Sequence, residues 1–304
     1  MSWDRVERLI GSDNLARLAE KRVAVIGLGS GGGFVALTLA MSGVGHFVLI
    51  DDDTLEETNI VRHVADRRYL GQPKVEAVAD LIRQRNPNAD VKTVIGLIED
   101  HKDALDGVDI IISGVDGENP KYVINQVALE KLIPVVYAGV YERGEGGDVV
   151  AITPYDGPCY ACWAAELRDE LAAVKNFGER ELDYGMIGES GTLEAEPALW
   201  LHVTRVASVQ ADIALNELLR DSAIHKDMPG NTVILANVAL EIVDGQISPP
   251  YTAVWATVDR NPDCLICGDY FRRQAALSEE GGVSLDDLMQ ETGMIVEDEK
   301  EQKS

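Results

Sequence analysis

The chain has 304 residues, 46% of them hydrophobic and 26% charged, and a formal net charge of −25. That length allows one large domain or two, with the composition of an ordinary water-soluble globular protein. The acidic excess speaks against a nucleic-acid surface, DNA or RNA, which needs a basic stripe to neutralise phosphates; it suits solubility or a basic partner. The longest apolar runs, "RVAVIGLG" and "VDIIISGV", are strand-length, and the N-terminus carries Asp4, Arg5, Glu7 and Arg8 where a signal peptide is apolar. A cytoplasmic protein without a membrane segment is the expectation.

In chain order, Arg5 to Glu20 is predicted as one helix, with Leu9, Leu15 and Leu18 at roughly helical spacing. "RVAVIGLG" is a buried strand, "GGFVALTLAMSG" a helix ending at Gly43, and "HFVLIDDD" the next strand. Then follow a helix "KVEAVADLIRQRNP" stopped by Pro87, strands "DVKTVIG" and "VDIIISGVD", a helix "KYVINQVALEKLI" and a strand "PVVYAGV". Such alternation predicts an α/β fold: a doubly wound, mostly parallel sheet with helices on both faces. From about Gly144 the runs "GDVVAITP", "TVILANVALEIVDG" and "YTAVWATVD" are read as antiparallel strands extending that sheet, without intervening helices.

The loop "GLGSGGGF" places Gly27, Gly29 and Gly32 in a G-x-G-x-x-G pattern directly after a strand and at a helix start. Glycine permits the tight turn and lets backbone N–H groups approach a phosphate at the helix N-terminus. Asp51 ends the next strand, where a carboxylate holds a ribose hydroxyl. A dinucleotide needs no more than this. Here, however, "NIVRH" supplies Asn59 and Arg62 and "GQPK" supplies Lys74 at the start of a helix. Arg offers a planar fork and Lys a compact ammonium to the charge of a triphosphate. Asp116 closes the apolar strand "VDIIISGVD" at the carboxyl edge of the sheet, a position suited to holding magnesium between phosphates.

From Arg22 to Asn125 the chain resembles the ThiF/MoeB/HesA superfamily, adenylating enzymes related to ubiquitin-activating enzymes. The pattern runs in order through Gly27, Gly29, Gly32, Asp51, Asp53, Asn59, Arg62, Lys74 and Asp116. The resemblance implies a Rossmann-like fold in which Asp51 binds the ribose of ATP, Asn59 and Arg62 contact the triphosphate, Lys74 neutralises it and Asp116 binds magnesium. It also implies a homodimer in which an N-terminal arginine, Arg8 or else Arg5, reaches the partner's site. His63 stands where the family often has Gln, and no histidine is assigned a catalytic role.

Four cysteines form two C-x-x-C knuckles, Cys159 with Cys162 and Cys264 with Cys267. Four thiolates suit a closed, tetrahedral, structural zinc site; a redox pair or two disulfides are the alternatives. If all four hold zinc, no thiol remains to accept an acyl group, because the crossover loop from Trp163 to Pro197 has no cysteine. The expected organisation is a helical arm (1–20), a nucleotide-binding half (21–150), a half with crossover loop, zinc site and antiparallel strands (151–275), and an acidic tail (276–304).

The resemblance therefore implies ATP- and magnesium-dependent adenylation of a carboxylate, with pyrophosphate released and no catalytic cysteine on this chain. The C-terminal glycine of a ubiquitin-like or sulfur-carrier protein is the first substrate, and a peptide or a modified-tRNA carboxylate the alternative. An NAD-dependent oxidoreductase and a non-catalytic adaptor stay open as readings of other classes.

Overall fold

The computed structural model describes residues 2–175, 198–243 and 246–269; the part of the expected crossover loop from 176 to Pro197 and the acidic tail from 276 lie outside them, while the first part of that expected loop, Trp163 to Lys175, is helical. The chain divides into two compact units, Met1–Arg260 and Asn261–Ser304.

In the first unit, β1 (Arg22–Ile26), β2 (His46–Asp51), β3 (Asp90–Ile95), β4 (Ile110–Ser113) and β5 (Val135–Val140) run parallel in the spatial order β3-β2-β1-β4-β5. Val23, Ala24, Val25 and Ile26 of β1 are all buried, as expected of a central strand covered on both faces. Strand order reverses between β1 and β4, which opens a crevice at the carboxyl edge there. Beyond β5 the sheet continues antiparallel through β6 (Gly146–Ile152), β7 (Thr232–Ala236) and, in pairing order, the edge strand at Ala253–Ala256. The expected doubly wound sheet with an antiparallel extension is thus present.

Helices cover both faces. α1 (Asp4–Ile10) and α2 (Ser12–Glu20) open the chain, followed by α3 (Gly32–Met41), α4 (Lys74–Arg85), α5 (Glu118–Lys131), α6 (Tyr160–Lys175) and α7 (Trp200–Leu218). Residues of α3, α4 and α7 share one core layer with Val23, Val25 and Leu49. Ile124 and Val127 of α5 and Tyr160 and Trp163 of α6 share the other with Ala24, Ile26 and Tyr137.

Three local expectations are corrected. The single helix from Arg5 to Glu20 is two, because Gly11 sits at φ 86°, outside the right-handed helical region, and breaks it. The antiparallel half does contain helices, α6 and the long α7, which lies between β6 and β7 in sequence. Its apolar stripe, Val206, Ala207, Ala211, Ala214 and Leu218, recurs at helical spacing. "TVILANVALEIVDG" is not one strand: after β7 the chain turns, and β8 (Leu240–Val243) leaves the large sheet to pair with β9 (Gln246–Ser248). The strand at Ala253–Ala256, β10, then returns to β7.

Candidate functional site

A cleft of about 410 Å³ opens at the carboxyl edge of the sheet, bordered by the glycine loop, Arg62, Asp116 and the start of α5. Its floor is the turn from β1 into α3. The backbone at Gly27 has φ 84°, and a Cβ there would stand 2.7 Å from the carbonyl carbon of Gly114. At Gly32 a Cβ would lie 1.9 Å from the Gly27 carbonyl oxygen. Both glycines are demanded by this backbone crossing. Gly29 differs: a Cβ there meets nothing within 4 Å, so the space beside it is open cleft. No side chain caps α3, whose first-turn N–H groups face an end suited to an anion.

On the β2 side the acidic and basic residues are already engaged. Asp51 is 9% exposed and accepts the Leu28 N–H on one oxygen and the Asp53 N–H, at 2.8 Å, on the other. Burial pushes its carboxyl above the usual carboxylate range, against those two hydrogen bonds, which lower it. Ionised Asp51 is thus held at some cost in stability above its ordinary value. Buried Lys74 donates from Nζ to Asp53 at 2.5 Å, and its backbone N–H bonds the Asp53 carbonyl. Asp53 therefore positions Lys74. Asn59 accepts the Glu56 N–H on Oδ1 at 2.9 Å, which shapes the short helical turn Glu57–Arg62 and leaves its amide NH₂ for other partners.

His63 takes a structural part that sequence reading left unassigned. Its Nδ1 accepts the Ala65 N–H at 3.0 Å, so Nε2 carries the proton and donates to the Leu28 carbonyl at 2.7 Å. This pins the Asn59–Arg62 segment to the glycine loop. Burial holds its pKa below the ordinary histidine value.

Facing the cleft, two charges are open: one from the β2–α4 connection and one from the stretch after β4. Arg62 is half-buried and Asp116 exposed, both border the cleft, and neither has an ion-pair partner among the described residues. The structure also brings in residues not singled out by sequence: Lys121 and Gln210, each a polar residue on the buried stripe of its helix. Gln210 donates from Nε2 to the Ser113 and Val136 carbonyls at 2.9 and 2.8 Å, closing the ends of β4 and β5. Their signal is a Lys or Gln standing where helical periodicity calls for an apolar side chain.

Gly29, Gly32, Arg62 and Asp116 meet in one cleft, with Asp51, Asp53 and Lys74 beside the same loop. Arg8 is elsewhere, on α1, exposed and paired with Asp4 at 3.0 Å. Cys159 and Cys162 are buried with Sγ atoms 3.8 Å apart, far beyond a disulfide bond. In the second unit Cys264 and Cys267 flank a tight turn in which the Ile266 N–H points at Cys264 Sγ at 3.4 Å and the Gly268 N–H bonds the Cys264 carbonyl. None of the four forms a disulfide. No helix among the described residues is long and apolar enough to cross a membrane.

A model of the ThiF family matches residues 4–245. The chain is 27% identical over 263 residues to a SAMP-activating enzyme E1 of Haloferax volcanii, covering 86% of this chain and 85% of that one. It is 31% identical over 187 residues to the adenylyltransferase and sulfurtransferase UBA4 of Yarrowia lipolytica, covering 60% of this chain and 46%, about half, of that protein. Among solved structures, Escherichia coli MccB with ATP superposes with a TM-score of 0.60 at 19% identity, over 84% of this chain and 69% of the other. At that identity the likeness carries the fold alone.

Proposed function

Because the chain belongs to the ThiF family, which covers most of its length, we propose that it adenylates a carboxylate with ATP. The observation that carries this reading is the meeting of Arg62 and Asp116, both without ion-pair partners among the described residues, over an uncapped glycine loop. A dinucleotide oxidoreductase has no general use for those two charges. A degenerate adaptor would be expected to have lost Arg62, Lys74 or Asp116.

In this reading the open N–H groups around Gly29 to Gly32 cradle phosphate, and Asp51 offers the ribose its remaining lone pairs. Asn59 contributes its free amide. Arg62 and Lys74 neutralise the charge that grows on the leaving pyrophosphate. The substrate carboxylate attacks the α-phosphorus, the bond to the β-phosphate oxygen breaks, and the products are an acyl-adenylate and pyrophosphate. Asp116, an exposed hard oxygen donor in the short connection between β4 and α5, fits magnesium, which when bound neutralises phosphate charge. Arg8, or Arg5, completes the site of a second protomer in a homodimer.

The two reduced C-x-x-C pairs fit one structural zinc, their thiolates being its preferred ligands. That assignment leaves no thiol for an acyl-enzyme, so the adenylate passes to an external acceptor. The cytoplasm supplies both ATP and conditions that keep thiols reduced. For the carboxylate we favour the C-terminal glycine of a ubiquitin-like or sulfur-carrier protein, because similar proteins include a ubiquitin-like modifier-activating enzyme and a sulfur carrier protein adenylyltransferase. A peptide carboxylate is the second reading, favoured by the absence of any cysteine from the crossover loop.

The test is ATP–pyrophosphate exchange with magnesium and, in turn, ubiquitin-like proteins ending in glycine, short peptides and tRNA. Exchange that depends on one carboxylate establishes the activity and its substrate class; silence with all of them, despite ATP binding, overturns it. Metal analysis of the purified chain is expected to find close to one zinc per chain, and metal-free folded protein removes the zinc assignment.

A further inference from the structure

The adenylation reading leaves one cation in the cleft unused. Lys121 lies on α5, its side chain only 4% exposed, and it borders the same cleft as Asp116 and Arg62. Holding an ammonium in a protein wall has a desolvation cost that a well-made ion pair normally offsets. Here the offset is poor. The nearest carboxylate, Glu118, stands at 3.4 Å, is itself 44% exposed, and accepts on its other oxygen from Tyr160 Oη at 2.8 Å. The ring of Tyr160 lies 6.0 Å from Lys121 Nζ and adds a weak attraction.

A second group in the cleft is likewise under-used. Ser113, the last residue of β4, is 1% exposed, and its Oγ has no hydrogen-bond partner among the described residues. A buried hydroxyl left without a partner is costly unless something else meets it. Ammonium and hydroxyl are both donors, and an anion with two oxygens answers both.

The sheet order indicates which anion this is. Lys74 follows β2 and Lys121 follows β4, so they stand on opposite sides of the glycine loop, which follows β1. The loop, Arg62 and Lys74 serve the triphosphate. Lys121 lies on the flank nearest the antiparallel strands, on the side of the loop away from Lys74. A carboxylate brought up to a triphosphate meets strong repulsion, and a cation dedicated to it lowers that barrier.

We propose that Lys121, with Ser113, docks the substrate's carboxylate beside the nucleotide; this rests on the adenylation reading. Lys121→Met replaces a buried ammonium by an apolar chain of similar shape and is expected to fold, with a melting temperature at or above that of the parent. In exchange assays it raises the KM for the carboxylate by about tenfold or more while the KM for ATP stays within about twofold. Lys121→Arg, which keeps the charge, retains most of the carboxylate affinity.

A calorimetric titration asks the same question without turnover. Protein loaded with magnesium and a non-hydrolysable ATP analogue is titrated with a short peptide ending in diglycine, as the free acid and as the C-terminal amide. The parent is expected to prefer the acid by about tenfold, roughly 1.4 kcal/mol, and Lys121→Met to lose that preference. Equal preference in parent and variant, no preference in the parent, or weakened analogue binding in the variant overturns the assignment. If exchange is silent with every carboxylate yet this discrimination holds, the adenylation reading fails and the anion site stands.

Discussion

The two flanks of the glycine loop differ in how much of their polar chemistry the fold itself consumes. On the β2 flank Asp51 ties down the loop and the next turn, Asp53 holds Lys74, and His63 clamps Leu28. On the β4 flank Asp116, joined in the cleft by Arg62 from the β2–α4 connection, has no ion-pair partner among the described residues, nor has Arg62, and Lys121 is loosely matched. Residues of the first flank therefore hold the shape of the fold, whereas those of the second, on the proposed reading, are held for ligand. Mutations should separate accordingly.

The largest effect is expected within the loop. Gly32→Ala places a Cβ 1.9 Å from backbone, which cannot yield cheaply, and the loss of stability should be on the order of 4 kcal/mol or more, read as a collapse of the melting transition. Gly29→Ala meets nothing within 4 Å, so it should melt like the parent while ATP affinity, by calorimetry, falls about tenfold. Equal stability loss in both would erase the distinction drawn between these glycines.

Next come the open charges. Arg62→Ala and Asp116→Ala should each lower exchange by roughly 10²–10³-fold, yet change stability by no more than about 0.5 kcal/mol. Asp51→Ala should cost about 1–3 kcal/mol in chemical denaturation, because the Leu28 N–H loses its acceptor in a buried setting. If Asp116→Ala destabilises as much as Asp51→Ala, the contrast between the flanks is wrong.

The smallest effect is a pH dependence. His63 is held neutral by burial, so its folded pKa lies below the unfolded value of about 6.5. Its contribution is complete above that value and is lost as pH falls below it, with a slope of at most about 1.4 kcal/mol per pH unit. His63→Gln should flatten this acid-side loss in denaturation curves measured between about pH 7 and 5.

Much of the parallel half was legible because its signals are local. Strand-length apolar runs, a glycine loop between strand and helix, and a carboxylate at a strand end are written within short windows. The breaks that were missed had weaker local marks: Gly11 divides a pattern that otherwise reads as continuous, and β8 keeps a strand's composition while changing sheets. α7 escaped because its stripe mixes small residues with Gln210, which hides its periodicity among polar neighbours. Lys121 and His63 were invisible as site residues for a related reason. A lone Lys or His reads as solvated surface until the fold shows what buries it.

What the sequence determined by itself is the order of elements through the parallel half and the kinds of group at their ends: Gly27, Gly29, Gly32, Asp51, Arg62, Lys74 and Asp116. Residue type and spacing suffice there, since backbone freedom and charge are properties of single residues. The tertiary structure decided which of those groups are engaged and which are open. Asp51 and Lys74 are held while Arg62 and Asp116 face the cleft, and Lys121 and Ser113 join them from a helix and a strand end whose convergence depends on the order of strands. Hydrogen-bond satisfaction and burial are relations between distant parts of the chain, and only packing creates them.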